Sequence, residues 1–125
     1  MRSRDACQDR VVRIVVADND QNVLDLLKLD LELEGHEIVG IALGGEQALA
    51  LCAEHQPDVL VVDYRMPPGP NGVDVARTME REHPNVRVIV YSNYEQSAVM
   101  HGARNAGATF IAKGDLRALR RALVE

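Results

Sequence analysis

The chain has no tryptophan, one phenylalanine and only two cysteines among its 125 residues. Cys7 sits near the start and Cys52 in a helical pattern, so the pair suggests reduced thiols rather than a disulfide framework. No apolar run approaches the roughly 20 residues a membrane span needs, and Met1-Arg2-Ser3-Arg4-Asp5 leads into no signal-peptide core. A basic surplus is missing as well. The formal charge is −5 and the pI near 5.3, which argues against a nucleic-acid surface. Arg2, Arg4, Arg10 and Arg13 do gather near the start, where a solvated tail explains them as well as a partner would. Linkers, repeats and low-complexity tracts are absent. These absences lead to the expectation of a cytoplasmic domain with no membrane and no direct nucleic-acid contact. With 46% apolar and 26% charged residues the chain suits one ordinary core, with residues 1–10 as a polar tail and 11–125 as the domain.

What is present alternates between strand and helix signals. Val11 to Ala17 reads as a buried strand ending at Asp18-Asn19-Asp20. From Gln21 to Glu34 two periods compete: Leu27, Leu29, Leu31 and Leu33 alternate with charged residues, yet Leu24, Leu27 and Leu31 also form a helical stripe. Helix formers abound there and Gly35 stands where a cap belongs, so the segment is read as helix. A short strand follows within His36–Ala42, then an Ala/Leu-rich helix from Gly45 to His55 stopped by Pro57. Asp58-Val59-Leu60-Val61-Val62 suits a strand buried on both faces, and Asp63 closes it. Tyr64 to Gly72 is dense in Pro and Gly and must be a shaped surface loop. Beyond it come a helix from Val73 to Glu82, a strand from Val86 to Tyr91 ending at Ser92, and a helix from about Gln96 to Ala106. A last strand, Thr109–Ala112, ends at Lys113, and Asp115 caps a final helix with Leu116, Leu119 and Leu123 inward and Arg117, Arg120 and Arg121 outward.

Five βα units imply a parallel sheet with helices on both faces, a doubly wound α/β/α domain that binds its ligands outside the carboxyl ends of the strands. Asp18, Asp63, Ser92 and Lys113 all fall there. The chemistry that suits the set is phosphoryl transfer to a carboxylate, with Asp63 as nucleophile. Such a transfer needs positive charge on the phosphoryl oxygens, usually Mg2+ and a Lys. Asp18 and Asp63 would hold the Mg2+, Lys113 would be the fixed cation, and Ser92 would donate to a phosphoryl oxygen. Each residue also has a plainer reading: a strand-end Asp, a turn hydroxyl at Ser92, a core-filling ring at Phe110. His36, His55, His83 and His101 lack metal-ligand spacing and suit surface or capping roles. Gly44-Gly45 hints at a phosphate loop, but no Walker or dinucleotide fingerprint accompanies it.

The chain resembles a response-regulator receiver domain from about Val11 to its end. The resemblance is carried by Ala17-Asp18-Asn19-Asp20, by Val62-Asp63-Tyr64-Arg65-Met66-Pro67, by Val90-Tyr91-Ser92-Asn93 and by Phe110-Ile111-Ala112-Lys113. It implies a flavodoxin-like fold with strand order 2-1-3-4-5. It also implies that Asp63 accepts a phosphoryl group from a histidine kinase or phosphotransfer protein, that Lys113 bridges to it, and that Ser92 and Phe110 are the switch residues. The implied Mg2+ ligands are Asp18, Asn19, Asp63 and the backbone carbonyl of Arg65. Two departures stand out. The family carries a second acid where this chain has Asn19, so Mg2+ affinity is expected to fall on the order of tenfold or more unless Asp20 swings in. The loop from Asp63 to Gly72 is also one residue longer than the family pattern.

Ser92-Asn93-Tyr94 and the lack of Pro after Lys113 resemble receivers joined to LuxR/NarL-type DNA-binding domains. The sequence stops at Glu125 with no output domain, which fits either a stand-alone receiver or a fragment of a longer regulator. Homodimerisation through the last strand and helices is a further expectation. Three function classes remain open: a phosphorylation-controlled signalling switch, which leads; a receiver-like binding module independent of phosphorylation, favoured by Asn19; and, remotely, an Asp-nucleophile phosphatase, whose D-x-D pattern is absent because Tyr64-Arg65 follow Asp63.

Overall fold

A computed structural model describes residues 10–125; Arg2, Arg4 and Cys7 lie outside the described residues. Strand β1 (Arg13–Ala17) is followed by α1 (Gln21–Leu33), β2 (Glu37–Ala42), α2 (Gly45–His55), β3 (Val59–Val62) and α3 (Gly72–Glu82). Then come β4 (Arg87–Ser92), α4 (Ser97–Asn105), β5 (Thr109–Ala112) and α5 (Leu116–Leu123). The five strands form one parallel sheet in the order β2-β1-β3-β4-β5, as the doubly wound reading requires. No helix among the described residues is long and apolar enough to cross a membrane.

The pleat explains why the strands are apolar throughout. Ile14 and Val16, Val59 and Val61, and Ile89 and Tyr91 face one side, where Leu24, Leu27 and Leu31 of α1 and Leu119 and Leu123 of α5 cover them. Val15, Leu60, Val62, Val88 and Val90 face the other, against Ala48 and Cys52 of α2, Val75 and Met79 of α3 and Ala103 of α4. Each fully buried leucine of α1 contributes roughly 2 kcal/mol of apolar burial, which settles the segment as helix. The competing alternation is resolved by exposure: Leu29 and Leu33 are 60% and 77% exposed on the outer side of that helix. Burial pushes the Cys52 thiol up to about 12, so it stays protonated as a small core residue.

The helix ends follow their caps. Asp20 accepts from Asn22 N–H at the start of α1, and Asp115 accepts from Ala118 N–H at the start of α5. Asn71 and Asp74 form a reciprocal capping box that starts α3 at Gly72, one residue earlier than the apolar pattern suggests. Gly35 leaves α1 at φ +92°, a left-handed conformation that glycine adopts without steric cost. Strand β1 starts later than expected, at Arg13, because the Val12 N–H is taken by His36 Nδ1 at 3.2 Å. Arg120 departs from the outward reading: it is half-buried and its guanidinium pairs with Asp30, tying α5 to α1.

Candidate functional site

Three of the candidate residues extend the sheet's own hydrogen-bond ladder by one step. Asp18 N–H donates to Ala42 O at 3.0 Å, Asp63 N–H to Ala17 O at 2.9 Å and Lys113 N–H to Ser92 O at 3.1 Å. Their backbones are therefore fixed by the strands rather than by the loops. Asp18, Asp63 and Lys113 also follow Val16, Val61 and Ile111 by two residues, the spacing at which a pleated chain returns to the same face. Lys113 must reach across the end of β4 to meet β3, a span of roughly 10 Å between strand axes, and its long stem makes that possible. Its Nζ lies 2.8 Å from Asp18 Oδ2 and 3.2 Å from Asp63 Oδ2.

The two carboxylates are held alike. Asp18 Oδ1 accepts from Asp20 N–H at 2.9 Å and Asp63 Oδ1 from Tyr64 N–H at 2.8 Å, so each acid gives one oxygen to its local backbone and the other to Lys113. Asp18 and Asp63 are both buried. Burial and the neighbouring Asp18 charge push the Asp63 carboxyl above its usual range, while Lys113 and the Tyr64 N–H pull against them. Burial alone would lower Lys113; its hydrogen bond to Asp18 and the charge of Asp63 outweigh that and hold it above the ordinary lysine value. The result is a carboxylate of raised basicity beside a permanent cation. That arrangement favours attack on an anionic electrophile whose negative charge Lys113 can share.

Ser92 is fully buried at the end of β4, and its Oγ accepts from Tyr94 N–H at 3.1 Å. Phe110 is half-buried against the α2–α4 side of the core. The Arg65 side chain is exposed. Asn19 is exposed on the rim beside Asp18. Asp20 is already committed to capping α1, so recruiting it elsewhere would release the Asn22 N–H. Among the described residues no group of three or more His, Cys, Asp or Glu side chains gathers as a metal cluster. The acids that converge are two, Asp18 and Asp63. That number still fits Mg2+, which takes one or two carboxylates and completes its shell with carbonyl, amide, phosphoryl and water oxygens. Bound there, the ion would neutralise phosphoryl oxygen charge.

Several residues of the site are not evident from the sequence. The loop after Asp63 closes on itself where Gly72 N–H returns to Tyr64 O at 2.7 Å, and the Pro67–Pro68 peptide within it is cis. Gly45 is a close-packing residue: a β-carbon there would lie 2.6 Å from Pro70 O, whereas one at Gly44 would meet nothing within 4 Å, so the steric role belongs to Gly45. The Tyr64 and Tyr94 rings meet at 5.7 Å, tilted by 54°, joining the residue after Asp63 to the loop after Ser92. The sequence signal is a Tyr directly after Asp63 and another two residues after Ser92.

Comparison with known proteins agrees with this geometry. The family model described as response regulator receiver domain matches residues 14–123. The probable transcriptional regulatory protein NarL of Mycobacterium tuberculosis is 35% identical over 112 residues, covering 88% of this chain and 51% of the relative. Response regulator GacA of Pseudomonas syringae pv. syringae is 31% identical over 102 residues, covering 81% and 47%. Among solved structures, the signal receiver domain of NarL from Mycobacterium tuberculosis superposes with a TM-score of 0.84 at 31% identity, covering 91% of this chain and 97% of that one. The chain spans about half the length of the curated NarL and GacA relatives.

Proposed function

The chain belongs to the response-regulator receiver family of two-component signalling, and from that premise we propose that Asp63 is its phosphoacceptor. The observation that carries this reading is the pairing of a buried, raised-pKa Asp63 with Lys113 at 3.2 Å at the carboxyl end of the central strand. A carboxylate oxygen of Asp63 attacks the phosphorus of a phosphohistidine on a partner kinase or phosphotransfer protein. The new O–P bond replaces the N–P bond and the imidazole leaves. Lys113 then shares the phosphoryl charge, and Ser92 turns its hydroxyl from Tyr94 N–H toward a phosphoryl oxygen. Phe110, on the neighbouring strand opposite Val90 and on the same side of the sheet as Ser92, follows that movement and alters the surface offered to partners.

Receiver domains of this family bind Mg2+ at the phosphorylation site. Here Asp18, Asp63, the Arg65 carbonyl and the Asn19 amide would hold it, with Asn19 lowering its affinity because an amide brings no charge. The chain performs no chemistry beyond phosphorylation of its own Asp63. It works in the cytoplasm, residues 11–125 are the functional unit, and the charge of −5 favours protein partners over nucleic acid. Homodimerisation through α4, β5 and α5 belongs to the same reading; light scattering that shows a monomer with and without a phosphoryl mimic would remove it. Asn19 favours a second reading, a module that binds its partner without phosphorylation.

Intact mass after incubation with Mg2+ and acetyl phosphate separates the two. One added phosphoryl group, absent from Asp63→Asn, is the expected result. No adduct over a wide Mg2+ range, and none from candidate kinases, would leave the phosphorylation-independent module.

A further inference from the structure

Lys113 is held from its backbone side by a residue that does not enter the site. After β5 the chain turns at once: Asp115 N–H returns to Ala112 O at 3.1 Å, with Gly114 at φ +96°. A closed four-residue turn with positive φ at its third residue is the pattern of a type II turn, in which the central peptide has no partner inside the turn. That central peptide joins Lys113 to Gly114. Its N–H is met from outside by the phenol of Tyr91, whose Oη accepts from Gly114 N–H at 2.9 Å. Tyr91 is 3% exposed, packed between the sheet and the α1/α5 layer, on the same face as Ile89 and Ile111.

Strand β4 therefore fixes Lys113 twice: Ser92 O takes the Lys113 N–H, and the Tyr91 hydroxyl takes the N–H of the next residue. A β-carbon at Gly114 would meet nothing within 4 Å, so packing does not hold the turn there. The phenol ties the Lys113–Gly114 peptide to β4, and together with the Lys113 N–H on Ser92 O it anchors the backbone on both sides of the Lys113 Cα, from which the side chain leaves.

We propose that Tyr91 is a positioning residue for Lys113, setting its ammonium group between Asp18 and Asp63 by holding the Gly114 amide. The inference rests on the phosphoacceptor reading above. Tyr91→Phe removes one oxygen and leaves the ring in its packing. Phosphorylation of Asp63 by acetyl phosphate is expected to slow about tenfold, less than the ~100-fold that a whole-ångström misplacement costs. In a Lys113→Ala background, slower but followed by mass over long incubation, Tyr91→Phe is expected to add nothing, because the group it positions is gone. Equal losses in both backgrounds would make Tyr91 merely structural and overturn the inference, as would an unchanged rate in the single variant. A wild-type chain that accepts no phosphoryl group would sink the phosphoacceptor reading and this inference together.

Discussion

Gly72 lies directly against the backbone carbonyl of Asp63: a β-carbon at Gly72 would drive into that oxygen and crowd the Tyr64 backbone. The close approach lets α3 start immediately beneath the end of β3, with Gly72 N–H on Tyr64 O.

Gly72→Ala must push either α3 or the Asp63 backbone aside. Overpacking of this kind costs about 1–3 kcal/mol, and the upper part of that range is expected because backbone atoms on both sides have to move. Chemical denaturation measures it. Gly69→Ala is the control, since among the described residues the only neighbour a β-carbon would meet there within 4 Å is Glu46 Cγ at 3.9 Å, an ordinary contact. A shift of about 0.5 kcal/mol or less is expected for it. Equal effects at the two positions would refute the steric account.

Asp63→Asn is expected to stabilise the fold at neutral pH without metal. The Asp63 pKa is raised by burial and by Asp18, so folding favours the protonated acid and the charged form carries a penalty. That penalty is absent below the ordinary carboxylate pKa, grows as pH rises through the folded value, and is then constant. The variant should therefore melt about 2–5 °C above wild type at pH 7–8, with the gap closing as pH falls into the carboxylate range. A gap that widens on acidification would reverse the sign and contradict the raised pKa.

Asn19→Asp tests the metal side. At ~5 Å and an effective dielectric of about 20, one unit-charge pair is worth roughly 3 kcal/mol, doubled for a divalent ion. Dehydration and the repulsion of a third acid beside Asp18 and Asp63 offset much of this. Mg2+ affinity by calorimetry should still rise about tenfold or more, and an unchanged titration would show that Asn19 does not govern the ion.

The fold was legible because one signal repeats: apolar strands that need cover on both faces, each followed by a helical stripe. Asp18, Asp63 and Lys113 were legible for a related reason, since a strand end in a parallel sheet is a defined place and charged groups there meet one another. Arg120 was not, because its partner Asp30 is 90 residues away and helical periodicity only says which way a side chain points. Tyr91 lies within the Val90-Tyr91-Ser92-Asn93 motif, but its hydroxyl acts on a turn in another part of the chain, and no local pattern reports a contact of that range. The alternating leucines of α1 show the opposite limit. A strand would set Leu27, Leu29, Leu31 and Leu33 on one face, yet Leu27 and Leu31 are buried while Leu29 and Leu33 are exposed, a split that only the helical stripe with Leu24 explains.

His36 gives the fold a dependence on mild acid that is separate from the site. Its Nδ1 accepts the Val12 N–H at 3.2 Å, a role that a protonated imidazole cannot fill because both nitrogens then donate. Burial lowers its pKa and nearby Arg10 lowers it further, while Glu34 works the other way. A histidine whose folded pKa lies below the unfolded one contributes stability that is full above the unfolded value, near 6.5, and is lost as pH falls through the folded value. The lost hydrogen bond is worth about 1 kcal/mol. Below pH 6.5 wild type should lose about that much more stability than His36→Gln, whose side-chain oxygen accepts without titrating. His36 sits where the chain enters the sheet, at the end of the strands away from Asp63, so Asp63 phosphorylation at pH 7 should be unaffected by the substitution. Parallel pH curves for the two proteins would assign the acid sensitivity to another group.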